Sequence, residues 1–68
     1  MNLLAVYRKE KKYTQWEIAQ MFKVSDVLIS HWERGKKIPT NEQLVKLSEI
    51  LGVGIRTLFP ELFGDKIK

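Results

Sequence analysis

The sequence predicts an all-α domain of five short helices, and three observations carry that expectation. Helix-start signals recur along the chain, apolar residues return at three-to-four-residue spacing, and no stretch alternates apolar and polar residues as a half-buried strand would. Leu3, Leu4, Tyr7 and Lys11 set the rhythm of a first helix from about Asn2 to Lys12. Thr14 followed by Glu17 is a capping box: the hydroxyl accepts from the amide of the third helical residue while the carboxylate reaches back to the cap amide. Helix two therefore starts at Gln15, with Ile18, Ala19 and Phe22 on one face. Val24 lies in a short turn, Ser25 caps a third helix running to about Arg34, and Gly35 terminates it. After a basic loop from Lys36 to Pro39, Thr40 and Gln43 repeat the capping-box pattern and open a fourth helix through Leu44, Leu47 and Leu51. Gly52 ends that helix, and Val53 and Gly54 lead to a fifth around Ile55 to Phe59, stopped by Pro60. Residues 1–60 are read as one domain, and 61–68 as a short tail that is either a dimer contact or frayed.

Composition narrows the function classes. A chain of 68 residues with 44% hydrophobic and 29% charged residues lies away from the low-hydrophobicity signature of disorder, and leaves room for a single small core. The absence of cysteine excludes disulfides and thiolate metal sites and fits a reducing cytoplasm. The apolar run from Leu3 to Tyr7 is too short for a membrane span or a secretory signal, so no membrane partner is expected. His31 is the only histidine and has no acidic residue four positions away, so neither a metal nor a cofactor is expected. With no nucleophile-base-orienter set and no Gly-rich phosphate loop, the chain is not read as an enzyme.

Charge placement points further. Residues 1–37 hold eight basic side chains against four acids, while residues 38–68 hold four of each, so the whole net charge of +4 belongs to the first part. Such an excess suits a partner that is a polyanion. At 100° per residue, helix three groups Ser25, Leu28, Ile29, Trp32 and Glu33 on one side and Asp26, Val27, Ser30, His31 and Arg34 on the other. Ile29 and Trp32 make the first side the buried one. The second is a short polar surface flanked by Arg34, Lys36 and Lys37, the layout of a helix that enters a major groove with cations over the phosphates.

Two short helices joined by a tight turn, capped at Thr14 and Ser25, form the pattern of a helix-turn-helix. Thr14-Gln15-Trp16-Glu17-Ile18-Ala19, Val24-Ser25, Ile29-Ser30-His31-Trp32-Glu33-Arg34-Gly35-Lys36, Pro39, and Leu44 to Leu51 followed by Gly52-Val53 resemble the Cro/C1-type, or XRE-type, helix-turn-helix of phage repressors and bacterial regulators. The resemblance spans roughly residues 3–59 without gaps. It implies a five-helix lambda-repressor-like fold in which Gln15 contacts a phosphate and orients the recognition helix. It implies that Asp26, Val27, Ser30 and His31 face the bases, that Lys36 contacts the DNA backbone with Ser25, Arg34 and Lys37 in support, and that Arg8 and Glu33 form a structural ion pair. The family usually has glycine where this chain has Lys23, a substitution that costs roughly 1–2 kcal/mol if the turn needs φ > 0. Asp26 is acidic where relatives carry glutamine, and is read either as an acceptor from cytosine N4 or as a helix-end charge.

Other residues have plainer readings. Leu28 is placed at the core margin, Trp32 in the core, and Trp16 partly buried against helix one; Lys9, Lys11 and Lys12 are read as solvated charges. Ile55, Leu58, Leu62, Phe63 and Ile67 exceed what a small core needs and are read as dimer contacts, against the alternative that Leu58 and Phe59 are core. The expected function is a double-stranded-DNA-binding transcriptional regulator, a repressor acting as a homodimer on a palindromic operator. The alternative is an antitoxin-type module with a protein partner, for which an exposed Trp16 or Phe63 patch would be the signature.

Overall fold

The computed structural model describes residues 2–63. Its elements in order are α1 (Leu4–Glu10), α2 (Gln15–Phe22), α3 (Asp26–Arg34), α4 (Asn41–Leu51), α5 (Ile55–Leu58) and a 3-10 helix (Pro60–Phe63), with no strand among the described residues. The fold is all-α with five α-helices.

Helix starts follow the side-chain chemistry. Thr14 Oγ1 accepts from the Glu17 amide at 3.0 Å while Glu17 Oε1 accepts from the Thr14 amide at 2.8 Å. Thr40 and Gln43 do the same at 3.2 and 2.8 Å. Each cap contributes about 1 kcal/mol, a large share for helices of eight to eleven residues.

Three helices close with the same pair of reverse bonds. A left-handed residue follows each: Lys12 at φ 64, one residue beyond the right-handed Lys11 that follows α1, and Lys23 at φ 58 and Gly35 at φ 77, directly after α2 and α3. The amides of Tyr13, Val24 and Lys36 then reach back five residues to the carbonyls of Arg8, Ala19 and His31. Glycine takes this conformation without strain, whereas a side chain there costs about 1–2 kcal/mol. Lys23→Gly is therefore expected to stabilise the domain by about 0.5–1 kcal/mol, the relief being partly offset by the greater freedom of glycine in the unfolded chain. Thermal denaturation followed by circular dichroism should show a midpoint raised by about 2–6 °C.

Helix α1 is shorter at both ends than the expected Asn2 to Lys12. Asn2 is buried outside the helix, its Oδ1 accepting from the Leu4 amide at 3.1 Å and its Nδ2 donating to the Trp32 carbonyl at 2.8 Å. Asparagine side chains compete with helical backbone bonding in this way. At the other end the left-handed Lys12 ends the helix. Helix α5 likewise ends at Leu58, since Phe59 leaves helical geometry ahead of Pro60.

The core is Leu4, Ile18, Ala19, Ile29, Trp32, Leu44, Leu47, Leu51, Leu58 and Phe59, drawn from all five helices and the residue after α5. The Phe22 ring meets Trp32 edge-on at 5.4 Å between centroids, joining α2 to α3. Lys46 of α4 donates to the Met21 carbonyl at 2.5 Å and lies 4.8 Å over the Phe22 ring, which ties the last turn of α2 to α4.

Two expectations need correction. Leu58 is fully buried within the protomer, so it is core and offers nothing to a second copy. Trp16 is 61% exposed, not partly buried: it sits two residues before Ile18, and so on the far side of α2 from that fully buried residue. Pro60 follows the end of α5 and opens the separate 3-10 helix, a position where its missing N–H is no loss. Ile55 and Leu62 are partly buried against the core, and Phe63 is 38% exposed with the Arg56 guanidinium 4.6 Å over its ring. Ile67 lies outside the described residues.

Candidate nucleic-acid interface

Ser25 starts the site. In extended geometry it turns its Oγ to accept from the Leu28 amide at 3.2 Å, and α3 runs from there. Ile29 and Trp32 are buried at 0% and 1% exposure and anchor the helix, while Leu28 is half-buried at the margin. The opposite surface carries Asp26, Val27 and Arg34 exposed, with Ser30 and His31 half-exposed between them. Val27 presents an apolar side chain at 57% exposure in the middle of this otherwise polar strip.

Gly35 turns the chain away from α3, and the amides of Lys36 and Lys37 both donate to the His31 carbonyl at 2.9 and 3.4 Å. Two backbone bonds thus hold the basic loop against the end of α3 and leave both lysine side chains exposed. Pro39 is buried and fixes the far end of the loop, with Ile38 exposed beside it. The strip and the loop together form a surface of hydrogen-bonding groups bordered by Arg34, Lys36 and Lys37, as contact with a polyanion requires.

Behind this surface lies a buried polar junction. Arg8 Nε donates to Glu33 Oε2 at 2.5 Å, and Nη1 donates to the Tyr13 carbonyl at 2.8 Å. The two charged side chains are 10% and 8% exposed. Gln15 joins them, its Nε2 donating to Glu33 Oε1 at 2.9 Å. The structure therefore places Gln15 with Arg8 and Glu33, whereas Asp26, Val27, Ser30 and His31 lie apart on the open face of α3. The link from Gln15 to Glu33 spans 18 residues, and Lys46 reaches Met21 across 25; neither has a local signal in the sequence. Among the described residues, no group of three His, Cys, Asp or Glu side chains could hold a metal. No helix among them is long and apolar enough to cross a membrane.

A helix-turn-helix family model matches residues 4–58, from the first residue of α1 to the last of α5. The chain belongs to the XRE-type helix-turn-helix family. Within this helix-turn-helix, α2 and α3 are the paired helices and Lys23 is the left-handed residue of the turn. Two curated relatives are similar to it. HTH-type transcriptional regulator DicA of Escherichia coli K12 is 41% identical over 61 residues, which is 90% of this chain and 43% of DicA. Multiprotein-bridging factor 1 of Candida albicans is 41% identical over 49 residues, 72% of this chain and 32% of that protein. The chain thus spans less than half the length of either relative. No solved structure matches.

Proposed function

We propose that this helix-turn-helix chain is a sequence-specific, double-stranded-DNA-binding regulator of transcription in the cytoplasm. The observation that carries the reading is the open face of α3, with Asp26, Val27, Ser30 and His31 accessible and Arg34, Lys36 and Lys37 at its edge. In this reading α3 lies in the major groove. Asp26 accepts from cytosine N4, Val27 meets a thymine methyl, and Ser30 and His31 complete the base contacts. Phosphate contacts from Gln15, Ser25, Arg34, Lys36 and Lys37 set the register. The family assignment and the printed function of DicA, a transcriptional regulator, support it.

A single helix reads few base pairs, so useful specificity calls for a homodimer on a palindromic operator with half-sites about 34 Å apart. Occupation of a promoter by such a dimer represses transcription. Ile55, Leu62 and Phe63 remain the candidate contacts within the described residues, Leu58 having been removed from that set by its burial. Light scattering of the chain with and without residues 61–68 tests this: a dimer that becomes a monomer on truncation supports the tail contact, and a monomer in both cases, even with DNA, rejects it.

Selection from random duplexes at fixed salt tests binding, symmetry and spacing together. On the selected site, Lys36→Ala is expected to weaken all sequences alike and lower the salt slope by about one unit. His31→Ala is expected to cost about 1–3 kcal/mol and relax preference at one base position. Equal effects of both variants on every sequence would reject base reading by His31. A second reading, an antitoxin-type module with a protein partner, is favoured by one observation, the 61% exposure of Trp16 on the outer side of α2. Co-purification of a small partner that is lost in Trp16→Ala would support it.

A further inference from the structure

Gln15 stands at the first position of α2, where a phosphate contact is proposed, yet its side chain is half-buried and already bonded within the protein. The carboxylate of Glu33 only accepts hydrogen bonds, so the amide of Gln15 can turn toward it only through Nε2. One of the two Nε2 protons is thereby used, and the carboxamide has one orientation instead of two. Glu33 is itself fixed, because Arg8 holds its other oxygen and also grips the Tyr13 carbonyl just ahead of the α2 cap. The Arg8 cation offsets the Glu33 charge, so a phosphate can approach the amide without meeting a bare carboxylate.

From these distances we infer that Glu33 is a positioning residue for DNA: it orients the Gln15 carboxamide so that the second Nε2 proton faces a phosphate. The inference rests on the DNA-binding reading above and adds to the structural ion pair a role in the contact itself. A purely architectural Glu33 predicts a different sign. Removing a negative charge from a protein that binds a polyanion strengthens binding, whereas releasing Gln15 from its fixed orientation weakens it.

The test uses the full chain and its selected duplex, with affinity read by fluorescence anisotropy and folding checked by circular dichroism. Gln15→Ala and Glu33→Gln are each expected to bind about threefold to tenfold more weakly, the loss that a single hydrogen bond represents. The double variant is expected to be no weaker than Glu33→Gln alone, because both changes remove the same contact. Unchanged or tighter binding by Glu33→Gln, or losses that multiply in the double variant, overturns the inference. Should Glu33→Gln fail to fold, the side-chain amide protons of Gln15 in the native protein decide. One proton is expected to exchange more slowly than those of exposed Gln20, and the other to shift when duplex is added; equal, fast exchange of both or no shift overturns it. Failure of the native protein to bind any duplex at low salt would instead overturn the DNA-binding reading, with the slow proton still visible.

Discussion

Arg8→Ala is expected to destabilise the domain by about 3–5 kcal/mol, because it strands the Glu33 carboxylate at 8% exposure with only the Gln15 amide to answer it. The Tyr13 carbonyl loses its partner in the same step. A domain of this length has about 3–10 kcal/mol of stability in total, so the variant should lose a large fraction of it. Urea denaturation measures it directly. A companion variant separates breaking the pair from the worth of the pair: Arg8→Met with Glu33→Leu removes both charges and should recover most of the loss, since apolar replacements of buried pairs are often neutral. If Arg8→Ala melts within 2 °C of the native chain, on the order of a few tenths of a kcal/mol, the junction does not hold the helices together.

Trp32→Ala is expected to cost a similar amount, about 3–5 kcal/mol, by a different route. The indole is 1% exposed, the largest buried side chain, and the edge-on partner of Phe22. Truncation leaves a void bordered by a core of only ten buried apolar residues, and so small a core has few neighbours able to close it. The hydrogen bond from Asn2 ends on the Trp32 backbone carbonyl and survives truncation, so the loss measures packing. Trp32→Phe should recover part of it. A ten-residue core in which Trp32→Ala costs under about 1 kcal/mol would contradict the packing described for α2 and α3.

Much of the fold is legible because its punctuation is local. Thr14 with Glu17, and Thr40 with Gln43, state their helix starts within four residues, and Gly35 and Gly52 state two of the ends. The misread ends are those closed by residues that do not normally close helices: Lys12 adopts the left-handed conformation at the end of α1 with no glycine to announce it. Nothing near Asn2 in the sequence marks it as non-helical, because its partner, the Trp32 carbonyl, lies 30 residues away. The same distance effect governs the candidate site. Helical periodicity alone separates the open face of α3 from Ile29 and Trp32, since both facts sit on one helix. The tie between Gln15 and Glu33 depends on how α2 crosses α3, which no spacing within either helix encodes. Trp16 departs from expectation for a related reason: a large aromatic ring is usually worth burying, and only its phase relative to Ile18 shows that α2 turns it outward.

The contrast between the two tryptophans gives the chain a pair of intrinsic optical probes. Trp32, at 1% exposure, emits from an apolar interior, and Trp16, at 61%, emits from water. Dissolved quenchers reach the second indole while the first is shielded until the core opens, so one unlabelled sample reports its surface and its interior through two separable signals.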